Sequence, residues 1–357
     1  MKIKKITLVV CSLFISLLSC KEQNIPLYVG TFTDGESEGI YKFQFNTKTG
    51  ELSQMELAVA TKNPSFIAYS PDKSHIYSVS NSDGGYAAAF KVKDEGTLEY
   101  INQVSSNGTG PCHISLNKAG NLAVVSNYGG GSASIYHITA NGSLGLASQV
   151  FNYNTTAEKV SRAHSAQFYK DELYVADLGT NAIYHYNLQN ENYQIATPNI
   201  IETTENLGPR HFTMSNDGQF IYIINEYGNS VLSVQKTNSG FKQIDFDSTL
   251  EEGFKGKSYC ADIHLSKDEN FLYGSNRGEN SIVVFKRNKT NGTLEKIQNI
   301  GVEGDWPRNF TLDPTGKFLI AANQRSNNIT VFSIDTTTGK LSFLSTLKAP
   351  TPVCLLF

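Results

Sequence analysis

Short apolar runs ending in small or polar residues recur along the whole chain, each followed by a turn and a second apolar run. In six segments an aromatic or apolar residue falls nine positions after the polar one: Ser80-Asn81-Ser82 to Phe90, Ser126-Asn127-Tyr128 to Tyr136, Ala176-Asp177-Leu178 to Tyr186, Ile224-Asn225-Glu226 to Val234, Ser275-Asn276-Arg277 to Phe285, and Ala322-Asn323-Gln324 to Phe332. The Asn or Asp positions are 81, 127, 177, 225, 276 and 323, giving steps of 46, 50, 48, 51 and 47. A second marker, Gly-x-Leu, recurs in phase at Gly50, Gly96, Gly142, Gly292 and Gly339. Each repeat predicts four strands, A to D, as in His113–Leu116, Leu122–Ser126, Ala133–Ile138 and Leu144–Phe151. The joining turns carry hairpin chemistry, such as Ser215-Asn-Asp-Gly218, Asp313-Pro-Thr-Gly316 and Asn141-Gly142. Four strands in a repeat of this length is the pattern of a β-propeller blade.

Strand A starts near Pro64, Pro111, Ala163, Pro209, Ala261, Pro307 and Pro352, which makes seven blades. Nothing follows the last of these, Pro352 to Phe357, while Leu27-Tyr-Val-Gly30 opens with strands B, C and D and no strand A. One C-terminal and three N-terminal strands therefore complete one blade and remove the open edges of the ring. The expectation is an all-β, seven-bladed propeller over 26–357. With 20 Phe and 18 Tyr among 357 residues, the composition also favours strands.

The first residues read differently. Lys2, Lys4 and Lys5 precede an apolar run from Ile6 to Leu18 and the sequence Leu17-Leu18-Ser19-Cys20. This is the layout of an export signal over 1–19, with Cys20 as a lipidated N-terminus and 20–25 as a tether. The expected location is outside the cytoplasm, on a bacterial membrane through that lipid anchor alone. Loss of the three lysines takes the formal charge from −3 to −6, which argues against a nucleic-acid partner. A monomer is expected. Cys112, Cys260 and Cys354 are an odd number, far apart, and read as buried thiols without metal or disulfide.

In a four-stranded meander the D-to-A connections and B-to-C turns share one face. That face carries Pro111-Cys-His113, Arg162-Ala-His164, Gly208-Pro-Arg-His211, Ala261-Asp262, Trp306-Pro-Arg-Asn309, Asn127-Tyr128, Asp177, Asn225-Glu226, Asn276-Arg277 and Asn323-Gln324. Polar groups converging around the axis mark it as the place for a small-molecule site. The repeated Asn/Asp series is explained as well by caps on the B-to-C turns. The residue after it varies, and places an acid, Glu226, and a base, Arg277, at equivalent positions of two blades. For either charge, a solvated or paired surface role weighs evenly against a functional one. His113, His164, His211 and His264 stand near A-strand starts, whereas His75, His137 and His185 fall inside strands. His113, Tyr128, Asp177, His211, Arg308 and Asn323 are candidate substrate contacts. No nucleophile elbow, zinc motif, P-loop, dinucleotide fingerprint or calcium loop is present, and no cofactor or metal is expected.

Leu27-Tyr-Val-Gly-Thr31, Asn63-Pro-Ser-Phe66, Gly110-Pro-Cys-His113, Asn127-Tyr-Gly-Gly-Gly131, Gly208-Pro-Arg-His211, Ser275-Asn-Arg-Gly278 and Trp306-Pro-Arg-Asn-Phe310 resemble the seven-bladed lactonase family. That family includes propeller-type 6-phosphogluconolactonases and fungal carboxymuconate cyclases. The resemblance implies that His164, Arg210, Glu226 and Arg277 form the catalytic set. Where the family often has Pro-His-Ala-His, this chain has Ser161-Arg162-Ala163-His164. The activity implied is hydrolysis of a sugar-acid lactone, with 6-phosphogluconolactone as the family default and a small-molecule lactone or anionic sugar acid as the partner. A lipid-anchored propeller that binds a carbohydrate or protein without turnover, and a lactone-forming cycloisomerase, are the alternatives.

Overall fold

The computed structural model describes residues 24–154 and 160–357. The leader and Cys20 lie outside the described residues. Twenty-eight strands form seven four-stranded antiparallel sheets, with no helix among the described residues. Each sheet is a meander, and the seven lie around one axis as a β-propeller. The A strands are Phe66–Tyr69, Pro111–Leu116, Ala163–Tyr169, Pro209–Met214, Tyr259–Leu265 and Pro307–Leu312 in blades two to seven. Blade one takes its A strand from the other end of the chain. Pro352–Leu356 pairs antiparallel with Asn24–Thr31, in the register Tyr28 to Leu356, Val29 to Leu355 and Gly30 to Cys354.

The core lies between neighbouring blades, where aromatic and aliphatic side chains from two sheets interdigitate. Tyr28, Tyr77, Tyr136, Tyr174, Tyr222 and Tyr273 are among its largest fully buried side chains. A buried tyrosine needs a partner for its hydroxyl, and the Gly-x-Leu repeat supplies one. Tyr28 Oη donates to Gly96 O (2.7 Å), Tyr77 to Gly142 O, Tyr222 to Gly292 O and Tyr273 to Gly339 O (3.0 Å each). Each bond runs from strand B of one blade to the C-to-D turn of the next. All four glycines have φ between +77° and +84° except Gly339 at +74°, a conformation that favours glycine. The marker is thus an inter-blade tie.

The polar residue that ends strand B is a link within its blade. It pairs with the first residue of strand C: Ser80 with Tyr86, Asn127 with Ser132, Asp177 with Ala182, Asn225 with Ser230, Asn276 with Ser281 and Asn323 with Asn328. In blade two this residue is Ser80. The sequence reading placed Asn81 there, one position too late, because both residues are small and polar.

Candidate active site

Two structural devices aim side chains into the axial mouth on the face of the B-to-C turns. The first is the position just after the repeated polar residue at or next to the end of strand B. In blades one, two, three, five and six it holds Phe32, Asn81, Tyr128, Glu226 and Arg277, and all five line one cavity of about 300 Å³. The second is a bulge near the start of strand A. The register shifts between Pro111 and His113, Ala163 and Ser165, Pro209 and His211, and Pro307 and Asn309. The extra residues are Cys112, His164, Arg210 and Arg308. A bulge inserts one unpaired residue and re-aims its side chain, as strands commonly do beside sites. Cys112, His164 and Arg308 line the same cavity, with Ser65, Gly110 and Pro111.

Glu226 sits between two arginines. Its Oε2 is 3.0 Å from Arg210 Nε and 2.9 Å from Arg277 Nη2. Arg277 Nη2 also donates to Cys260 O at 2.8 Å, and its guanidinium lies 5.3 Å from the Trp306 ring centre, with Arg325 on the same ring at 3.3 Å. These charges are paired and largely buried: side-chain exposure is 15% for Glu226, 3% for Arg210 and 5% for Arg277. Arg210 stands behind Glu226 and does not line the cavity. Burial and the neighbouring Arg277 cation lower the Arg210 pKa to about 9.

Arg308 is different. Its guanidinium lies 5.5 Å from the Phe32 ring centre, and among the described residues it has neither a hydrogen bond nor an ion pair. Burial, then Arg277, lowers its pKa. His164 keeps Nδ1 buried and without a partner. Burial holds its imidazole well below the usual histidine value, and Arg210, His211, Arg308 and Arg277 push the same way. His164 is therefore neutral at pH 7. The two guanidinium groups, one carboxylate and neutral imidazole that line the cavity carry one excess positive charge, and Arg210 adds a further cation behind Glu226.

Other candidates lie elsewhere. His113 and His211 are beneath the cavity, where the His211 ring is 5.5 Å from His113 and 5.2 Å from His164. With Phe66, 4.4 Å from His113, they fill the axis. Asp177 and Asn323 are fully buried and do not line the cavity. Asp177 accepts from Arg162 N, Gly179 N, Thr180 N and Ser161 Oγ; Asn323 Nδ2 donates to Thr330 Oγ1 at 2.9 Å. His264 opens onto a second axial cavity on the opposite side of the ring. Arg162 lies 5.4 Å from the Tyr128 ring centre at the rim. Cys112 is half-buried, with its thiol raised to about 11 by burial. Cys260 and Cys354 are buried and free.

On sequence grounds Phe32 and Ser65 are not candidates, Asn81 is only a repeat marker and Cys112 only a thiol beside His113. The signals were there: Phe32 and Asn81 share the frame position of Tyr128, Glu226 and Arg277, and Cys112 shares that of Arg210 and Arg308.

The fold and the cavity together define a seven-bladed propeller with a cationic small-molecule site at its axial mouth. A family described as "Lactonase, 7-bladed beta-propeller" matches residues 26–357, and the chain belongs to that family. A 6-phosphogluconolactonase of Bacillus subtilis is 32% identical, over 92% of this chain and 97% of the relative. One of Formosa agariphila is 36% identical, over 82% and 88%. Among solved structures, a putative 6-phosphogluconolactonase of Bacteroides fragilis has a TM-score of 0.87 at 32% identity, covering 95% of this chain and 99% of that one. The periplasmic gluconolactonase of Pseudomonas aeruginosa also has a TM-score of 0.87, at 29% identity over 93% and 98%.

Proposed function

We propose that this protein hydrolyses a sugar-acid lactone carrying an anionic group, with 6-phosphogluconolactone as the leading substrate. The observation that carries the reading is the unpaired guanidinium of Arg308 in the same cavity as the neutral His164. An unpaired cation held among protein atoms favours an anion, and a planar guanidinium suits carboxylate or phosphate oxygens.

In this reading a water oxygen bonds to the lactone carbonyl carbon while His164 takes its proton. Glu226 is the alternative base, since its carboxylate also lines the cavity. Arg308 and Arg277 face the oxygen on which negative charge develops. The tetrahedral intermediate then collapses, the ring C–O bond breaks, and the proton returns to the leaving alkoxide. Arg210 holds the Glu226 carboxylate from behind. The test is turnover by purified protein of phosphorylated and unphosphorylated aldonolactones. Absence of turnover on every lactone would leave a binding module.

The leader supports a further proposal, that Cys20 anchors the enzyme to a membrane. Cys20→Ala found in the membrane fraction at wild-type level would refute it.

A further inference from the structure

We propose that Asp262 and His211 are positioning residues: Asp262 fixes His211 as its Nδ1-protonated tautomer, leaving Nε2 as the acceptor that holds Arg210 behind Glu226. The inference rests on the reading of the Glu226 pocket as the reaction site, but its geometry lies one layer below.

Asp262 is buried on the A strand of blade six, where the ladder shifts between Cys260 and Ile263. Its Oδ1 accepts from His211 Nδ1 at 2.7 Å and from Ile263 N at 3.0 Å. Its Oδ2 accepts from Asn309 Nδ2 at 2.5 Å, His264 Nε2 at 3.0 Å and Phe310 N at 3.3 Å. One carboxylate thus ties blades five, six and seven at the axis. These donors, and the nearby positive charge, hold it ionised well below the usual aspartate value despite its burial.

The other nitrogen of His211 faces a cation. Arg210 Nη1 lies 3.3 Å from His211 Nε2 and also donates to Ala261 O. An arginine has only donors, so His211 Nε2 must be the lone pair and Nδ1 must carry the proton. Burial and then the Arg210 charge lower the imidazole pKa to about 4, which keeps it neutral. The remaining neighbours, His113, His164 and Phe66, meet it through their rings and offer no competing charge. The order is Asp262, His211, Arg210, Glu226. A misplacement of about 1 Å at the far end of such a chain costs about 10²-fold in rate.

Two substitutions separate positioning from packing. In His211→Gln the side-chain oxygen reaches the place of Nε2 and restores an acceptor for Arg210. In His211→Asn the amide nitrogen stands where Nδ1 was and restores only the bond to Asp262. Both remove the same ring and are expected to lower the melting temperature similarly. Positioning predicts that kcat falls by about tenfold or more in His211→Asn, with partial recovery in His211→Gln and little change in KM for either. Equal kcat in the two variants would overturn it. The histidine ¹⁵N spectrum of the full chain gives an independent reading, with a protonated Nδ1 and a bare Nε2 expected for His211 at neutral pH. The opposite tautomer, or an imidazolium, would also overturn it. If wild type turns over no lactone yet shows this tautomer, the functional reading fails while the positioning geometry stands.

Discussion

Arg277 Nη2 lies 2.9 Å from Glu226 Oε2, and the two residues occupy the same position of successive blades, the one just after the repeated polar residue Asn225 or Asn276. One repeat frame has therefore been filled with opposite charges that meet at the axis. Arg210 completes the pairing from the bulged A strand of the Glu226 blade. Removing the carboxylate leaves two arginines, exposed by only 3% and 5%, facing each other.

Glu226→Gln should therefore cost both activity and stability. Breaking a fully buried pair typically costs about 3–5 kcal/mol, and the 15% exposure of Glu226 places this case toward the lower end. Denaturant unfolding and lactone turnover of the same sample check it. Unchanged stability would mean that solvent screens the pair.

Arg308 predicts the reverse. Its guanidinium has no ion pair or hydrogen bond among the described residues to lose, so Arg308→Met should leave the melting temperature unchanged or raise it. Hydrogen bonds to charged groups contribute about 1.5–3 kcal/mol, so kcat/KM for an anionic lactone should fall by about 10–10²-fold. Lys340→Ala, on an exposed C-to-D turn, is the control. An unchanged kcat/KM would place the anion elsewhere.

The fold was legible because its repeat is written twice, once in the residues ending strand B and again in Gly-x-Leu. The structure gives both a physical cause, in the B-to-C pairing and in ties such as Tyr222 to Gly292. The site was legible only in part. Asp177 and Asn323 carry the same residue types as a binding site, yet both are fully buried, Asp177 bonded to its own turn and Asn323 Nδ2 to Thr330. Arg308 and Cys112 depend on a one-residue bulge, which proline followed by a polar residue hints at but does not specify. Whether a charge at the mouth is solvated or buried depends on which residues of distant blades converge on it, as Arg210, Glu226 and Arg277 do.

The inter-blade ties predict a graded loss. Tyr273→Phe removes the donor to Gly339 O and leaves that carbonyl without its partner. An orphaned buried acceptor costs about 1–3 kcal/mol. Tyr222→Phe should cost more, because Tyr222 Oη also accepts from Arg287 Nε at 2.6 Å. Urea unfolding of the two variants tests the order.

Closure by the C-terminal strand predicts a larger effect. Deleting 352–357 removes the ladder to Tyr28, Val29 and Gly30 and the buried Val353, Cys354 and Leu355. It also removes Leu355 N, which donates to Asn309 Oδ1 at 2.7 Å near the axis. Hydrogen bonds and apolar burial go together, so the melting temperature should fall sharply across the whole ring. An unchanged transition in calorimetry would refute the closing role.

The axial histidines set the acid limit of stability. Burial holds His113, His164 and His211 below the usual histidine value, His211 at about 4. The unfolded chain takes up protons at these sites as pH falls below about 6.5, whereas the folded chain does not. Their neutral forms therefore stabilise the fold above about pH 6.5, and that stability is lost as pH drops toward the folded values. Each can contribute about 1.4 kcal/mol per pH unit where the unfolded form is protonated and the folded one is not. His264 has the opposite sign: burial alone would lower it, but the Asp262 carboxylate raises it, so its contribution is present below about 6.5 and fades as pH rises through its folded value. Unfolding free energy should thus fall steeply from pH 6.5 to 5. Substituting His113 by Gln should make that fall shallower, even if the variant is less stable at pH 7. A slope identical to wild type would show that His113 titrates normally in the folded protein.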